Sequence, residues 1–168
     1  YRLDGRSYSN SFQWQLEHEL VSKLDLRLAY RLFDVKTSYI NGLAERPLVA
    51  KHRAFANLAY DLKGWKFDYT VTYNGTKRIP STEDNPAQYQ LAKKSPAYWL
   101  MNAQVSKTLG NKHPIDLYIG GENIGNYYQK QAVLASDQPF GPHFDASLVW
   151  GPVSGRMIYM GFRYKILK

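Results

Sequence analysis

Residues 155–166 read GRMIYMGFRYKI. Ile158, Met160, Phe162, Tyr164 and Ile166 fall on one parity, and Tyr159, Gly161, Arg163 and Lys165 on the other. Strand side chains point alternately to opposite faces, so this stretch is a strand with one apolar and one polar face. The same construction recurs upstream. Ile115, Leu117 and Ile119 alternate with Asp116, Tyr118 and Gly120, and Trp99, Met101, Ala103 and Val105 alternate with Leu100, Asn102, Gln104 and Ser106. The cleanest case sets Trp65, Phe67, Tyr69, Val71 and Tyr73 against Lys66, Asp68, Thr70 and Thr72. Leu58, Tyr60 and Leu62 oppose Asn57, Ala59 and Asp61 in the segment before it. Leu24, Leu26, Leu28, Tyr30 and Leu32 form another such row, as do Phe12, Trp14, Leu16 and Leu20. A helix would want apolar positions three and four apart, and these segments lack that spacing. Tyr1 to Leu3 read as the end of a further strand, closed by a turn at Asp4-Gly5.

The connections alternate in length. They are short at Val21–Lys23, Lys63-Gly64 and Gly110–His113, and long at Asp34–Pro47, Gly75–Ser95 and Asn123–Ser154. The full strands run to about ten residues, longer than the five or six usual in soluble sheets and suited to a tilted membrane crossing. Tight turns at one rim and long loops at the other are the pattern of an outer-membrane barrel. The last strand follows a long loop, so the C-terminus lies on the short-turn side.

Composition narrows the reading. The 168 residues suffice for one ordinary domain. A net charge of +8 points to an anionic partner such as a lipopolysaccharide or phospholipid surface, a nucleic acid or an acidic solute. With no Cys there is no disulfide, thiolate nucleophile or Cys-ligated zinc. No run approaches the roughly eighteen apolar residues of a spanning helix, so a membrane protein of this sequence can only be a barrel.

Alternation alone does not say which face is outside, and a soluble lipocalin-like barrel would turn the apolar face inward. Three features favour the membrane. Thr70, Thr72, Asn102, Gln104 and Ser106 suit a hydrated lumen better than a densely charged surface. Tyr8, Trp14, Tyr30, Trp65, Tyr73, Tyr98 and Trp99 lie near strand ends, as an interfacial aromatic girdle requires. The connections are too unequal for a soluble meander. The expected fold class is therefore all-β, an antiparallel transmembrane β-barrel segment.

These features, taken with SYSNSFQWQLEHEL (7–20), LRLAYRLFD (26–34), Pro47-Leu48 and His52-Arg53 before NLAYDL (57–62), GGENIGNYY (120–128) and GPVSGRMIYMGFRYKI (151–166), resemble the C-terminal part of a TonB-dependent outer-membrane receptor. Their order covers essentially the whole chain, and the style is similar to receptors of Bacteroidetes-like bacteria. The resemblance implies a barrel of about 22 strands with a plugged lumen. Residues 1–168 would supply about seven to eight of those strands. The plug and the first strands lie outside them, because a third of a barrel would leave two unpaired edges in lipid.

The implied function is import of a bulky, scarce solute (a ferric chelate, metal complex, cobalamin or glycan) rather than catalysis. The implied precursor carries a signal peptide, and no cofactor is expected. Implied partners are outer-membrane lipid and lipopolysaccharide, the rest of the receptor, TonB through the plug, and a surface lipoprotein. Nucleic acid is not among them, since the aromatics suit a lipid face. The resemblance also makes Gly161, Tyr164 and Ile166 the assembly signal, although Leu167-Lys168 follow where a terminal aromatic is expected. A self-contained outer-membrane barrel of eight strands, structural, adhesin-like or lipid-modifying, is the alternative.

Catalytic chemistry finds little support. His18, His52, His113 and His143 are dispersed, and His143 with Asp145 reads more simply as a loop polar pair than as a metal site. Ser7, Ser9 and Ser11 suit local hydrogen bonding. Glu17 and Glu19 suit pairing with Arg27 and Arg31. Gly120-Gly121 precedes no helix, so it is no phosphate loop and instead suits close packing. Loop contacts to solute are expected from Tyr127, Tyr128, Phe140, His143 and Phe144. Lumen-facing positions are expected at Lys66, Asp68, Thr70, Asn102 and Gln104. Lys77, Arg78, Lys93 and Lys94 are expected to meet lipopolysaccharide phosphates or an anionic solute.

Overall fold

A computed structural model describes residues 5–39, 42–110 and 114–164. The readings at Tyr1–Leu3, His113, Lys165, Ile166 and Leu167-Lys168 lie outside the described residues. Among the described residues eight strands form: β1 (Tyr8–Val21), β2 (Leu24–Tyr39), β3 (Gly42–Glu45), β4 (His52–Leu62), β5 (Trp65–Asn74), β6 (Tyr98–Leu109), β7 (Ile115–Glu122) and β8 (Met157–Tyr164). They make one antiparallel sheet in the order β1-β2-β4-β5-β6-β7-β8, with β3 paired to β2. β1 and β8 are the two edges of an open sheet.

One expectation is corrected. Asp34–Pro47 is not simply a polar connection: β2 continues to Tyr39, and β3 folds back on it through pairs from Lys36↔Glu45 to Tyr39↔Gly42. Lys36, Thr37 and Ser38 broke the apolar alternation, but cross-strand hydrogen bonds extend the strand regardless. At the opposite end the turns are tight. Leu62 pairs with Trp65, and Lys63 and Gly64 between them both take positive φ (48° and 80°), as a type I′ turn requires.

The registers carry one apolar face across the whole sheet. Trp14 lies opposite Tyr30, Leu26 opposite Leu58, Tyr60 opposite Phe67, Val71 opposite Met101, Val105 opposite Ile119 and Leu117 opposite Phe162. This face is bare: Met160 is 81 % and Phe162 73 % exposed. The buried apolar cluster is Tyr89, Leu134, Ala135 and Leu148, all in the long connections. Soluble monomers rarely expose contiguous apolar patches above a few hundred Å², so this sheet needs an apolar surrounding.

On the polar face, β7 and β8 are locked by two reciprocal pairs. Tyr118 lies opposite Gly161, and Gly120 opposite Tyr159. A Cβ at either glycine would run into the tyrosine ring across from it. The two rings meet edge to face with centroids 6.4 Å apart, and the Tyr159 hydroxyl donates to Gln104 Oε1 at 3.0 Å. Gly120→Ala and Gly161→Ala are expected to cost about 1–3 kcal/mol by overpacking. Urea unfolding of the detergent-folded protein measures this, and Tyr159→Ala should remove most of the Gly120→Ala penalty. Additive losses would show that ring and glycine are not coupled.

Candidate functional site

Every second residue of the sheet faces away from the apolar side. Lys66, Asp68, Thr70, Asn102 and Gln104 share this face through Lys66↔Ser106, Asp68↔Gln104 and Thr70↔Asn102. The register thus brings together all five residues expected at a lumen. Asn57 Nδ2 donates to both Asp68 oxygens at 3.1 Å and to Thr70 Oγ1 at 2.9 Å. The Thr108 hydroxyl donates to Asp116 Oδ1 at 2.7 Å. A concavity of about 670 Å³ here is lined by Asp61, Lys66, Asp68, Asn102, Gln104 and Tyr159, among others. Its charges are mixed, with Lys66 Nζ 3.8 Å from Asp61. Around Lys66 and Asp68 this wall offers hydrogen bonds and mixed charge. Among the described residues no cluster of His, Asp or Glu could hold a metal ion.

At the far end of the strands, residues 75–97 and 123–156 fold against each other. Gln129 is almost fully buried and braces the second of these segments internally: its Oε1 accepts the Trp150 and Gly151 amides at 2.8 and 3.1 Å, and its Nε2 donates to the Gln131 and Leu148 carbonyls. Asn123 is a second brace. Its Nδ2 donates to the Tyr127 carbonyl at 2.7 Å, its Oδ1 accepts the Tyr127 amide, and its own amide donates to Asn102 Oδ1 at 2.9 Å. The Tyr127 ring stacks on Tyr98 with centroids 4.9 Å apart, and Trp150 packs beside both.

Lys77 inserts into this packing. Its Nζ donates to the Trp150 carbonyl and lies 5.5 Å from the Tyr98 ring centroid. Burial, helped by the nearby Arg53 charge, pulls the Lys77 ammonium below the usual lysine range. Burial also pushes the Tyr127 hydroxyl up.

Two sequence readings change here. Tyr98 is no girdle residue: it opposes Asn74 on the polar face and is buried under the loops. The loop cations largely have partners within the chain. Lys93 sits 3.0 Å from Glu83, Lys94 sits 3.9 Å from Glu45, and Arg78 lies over the Tyr39 ring.

The five expected loop contacts separate into two groups. Phe140 is fully exposed, and Tyr128 and Phe144 are partly so. Tyr127 is held in the stack, while His143 Nδ1 lies 3.3 Å from Asn85 Oδ1 and its ring packs near Tyr89. Tyr89 in turn donates to Asp137 at 2.9 Å. His143 and Asp145 have separate partners, since Asp145 accepts the Ser147 amide and its backbone bridges to Leu134. On the wall, Glu17 pairs with Arg27 at 3.0 Å as expected. Glu19 instead accepts the Lys23 amide at 2.7 Å.

No family model matches the chain, and no curated protein matches it. Among solved structures it is similar to the unliganded ferric citrate transporter FecA, with a TM-score of 0.60 and 12 % identity. The match covers 85 % of this chain and 21 % of FecA. The sheet is a segment of an antiparallel β-barrel. At that identity the likeness speaks for the fold alone.

The two braces were not singled out from sequence, and nothing local marks Gln129. Asn123 carried a signal in its glycine- and asparagine-rich context, and its φ of 48° explains it, because Asn tolerates the left-handed region better than most residues. Gln129→Leu is expected to leave the part-buried Trp150 and Gly151 amides without a partner, at up to about 1–3 kcal/mol each. Hydrogen exchange should then accelerate at those amides while the β5–β6 ladder stays protected. Unchanged exchange at Trp150 and Gly151 would show that the loops hold without this side chain.

Proposed function

We propose that this chain is the C-terminal barrel portion of a TonB-dependent outer-membrane receptor that imports a bulky, scarce solute. The observation that carries the reading is the bare apolar face backed by a polar one, with the buried apolar cluster among the described residues lying in the long connections. Lipid covers the first face, and the plug and the solute path lie against the second. The fold shared with a segment of the ferric citrate transporter supports this architecture. So do the open edges. A closed eight-stranded barrel would pair β1 with β8, whereas β1 pairs with β2 and β8 with β7. Further strands complete the ring.

In this reading the short turns face the periplasm and the long connections face outward. Lys66, Asp68, Thr70, Asn102 and Gln104 line the lumen. Gly161 and Tyr164 belong, with Ile166, to the assembly signal of the terminal strand. The braced connections form the outer vestibule, and Phe140, Tyr128 and Phe144 meet the solute or a surface lipoprotein from its rim. Ferric chelates, metal complexes, cobalamin and glycans all remain candidate solutes. TonB acts through the plug.

Two experiments test this. Denaturing mass spectrometry of detergent-extracted outer membranes should find the stretch within a polypeptide several times larger than 168 residues, and cells lacking TonB should lose import of its solute. A lone folded species of this length, or import indifferent to TonB, would overturn the reading. Substitution then separates the faces. Leu28→Arg or Met101→Arg on the apolar side is expected to cost about 2–4 kcal/mol near the bilayer midplane, read by urea unfolding from lipid vesicles. Thr70→Arg on the opposite side should cost clearly less, and equal costs would argue against lipid on the apolar side.

A further inference from the structure

Arg31 and Arg53 lie directly opposite each other in the β2–β4 ladder, on the polar face. Side chains so placed have Cβ atoms about 5 Å apart, and like charges in that arrangement repel. Several other cations sit beside carboxylates: Arg27 with Glu17, Lys51 with Asp34, Lys66 with Asp61, and Lys93 with Glu83. Arg31 and Arg53 have no carboxylate ion pair among the described residues. Their other cross-strand partners are uncharged, Gln13 for Arg31 and Asn74 for Arg53.

The positive charge is reinforced from above. Lys77 is half-buried close enough for Arg53 to depress its protonation. A concavity of about 240 Å³ opens at this point, lined by Gln13, Arg31, Arg53, Phe55 and Thr72 among others. It sits at the loop end of β4, where Arg53 is the second residue, and at mid-length of β2, where Arg31 lies.

We propose that Arg31 and Arg53 form an anion-binding site on the polar face, taking a solute that carries carboxylate or phosphate oxygens. The planar guanidinium groups match two-oxygen acceptors, and charge-assisted hydrogen bonds to such anions are the stronger kind. Gln13 and Thr72 supply neutral hydrogen bonds beside them. The anion removes the repulsion the wall otherwise carries. Lipopolysaccharide phosphates do not compete for this position, because it lies on the face opposite the apolar one. The assignment to a solute rests on the receptor reading above.

The test uses the full-length native polypeptide in detergent and follows its Tm against citrate and against pyrophosphate, at ionic strength held constant with sodium chloride. At least one anion should raise Tm saturably, and the anion that does so identifies the class. Arg53→Gln should weaken the apparent affinity about tenfold or more. Without anion it should leave Tm unchanged or higher, because a repulsion is relieved. Arg53→Lys keeps the charge and should retain part of the response, which guards against misfolding as the cause of loss.

An unresponsive wild type, or a response that survives in the Arg31→Gln/Arg53→Gln double variant, would overturn the proposal. So would an unresponsive wild type that loses stability on Arg53→Gln, since a carboxylate of the protein itself would then occupy the pair. Binding in detergent needs no TonB. TonB-independent import would therefore sink the receptor reading and leave this site standing, and a receptor that imports but ignores both anions would do the reverse.

Discussion

Because side chains alternate along a strand, a slip of one residue in any ladder would turn that strand's apolar row to the wrong face. The ladders from β1 to β8 stay in phase, and what the protein presents on either side follows from that. The tight turns hold the phase. Lys63-Gly64 joins β4 to β5 with no residue to spare. Between β1 and β2 the register shifts between Glu19 and Val21, at the turn itself, so the long ladder from Tyr8↔Lys36 to Glu19↔Asp25 is undisturbed. An irregularity placed at mid-strand would have put Gln13 or Gln15 among the leucines.

The phased sheet is apolar on one face and polar on the other, and the aromatic residues mark its two rims. Tyr60, Phe67 and Trp65 stack in succession near the tight turns, with neighbouring centroids 6.5 and 6.2 Å apart. Tyr73 and Trp99 pair at 4.8 Å near the long connections. Lys107 falls on the apolar face yet sits at the turn end, where its ammonium reaches the Lys63 carbonyl at 3.0 Å and lies over the Trp65 ring. Its aliphatic stem covers apolar surface while its charge reaches the rim, as long basic side chains do at interfaces. These groups bracket Leu58, Val71 and Met101 between them.

Much of this wall was legible in the sequence. A period of two is a local property, and so were the tight turns, which concentrate Gly next to polar residues. What escaped the sequence depends on pairing. Lys36, Thr37 and Ser38 look like loop residues until β3 pairs with them. Tyr98 looks like a rim aromatic until the register turns it inward beneath Trp150. Arg31 and Arg53 are 22 positions apart, as the numbering of the chain shows, and nothing in either local context indicates that they face each other. The loop core was hidden for a related reason. Tyr89 and Leu134 are brought together by two long connections whose folding has no repeating period.

The stretch that joins wall to vestibule bears on how the two act together. Asn102, on the polar face of β6, accepts the amide of Asn123, and Asn123 holds both the amide and the carbonyl of Tyr127. Tyr127 stacks on Tyr98, and Lys77 sits over the same Tyr98 ring while donating to the Trp150 carbonyl. The long loop is therefore fixed to the wall through Asn102, Tyr98 and Lys77, and the Lys77 charge is felt by Arg53. A large displacement of residues 123–156 would unstack Tyr127 and release the Lys77 ammonium from the contacts that compensate its burial. Exposed residues at the tip, Phe140 above all, are free of these ties. Substitution at the tip can thus leave the packing around Tyr98 and Lys77 undisturbed. A change in the charge at Arg53 reaches the loop packing through Lys77.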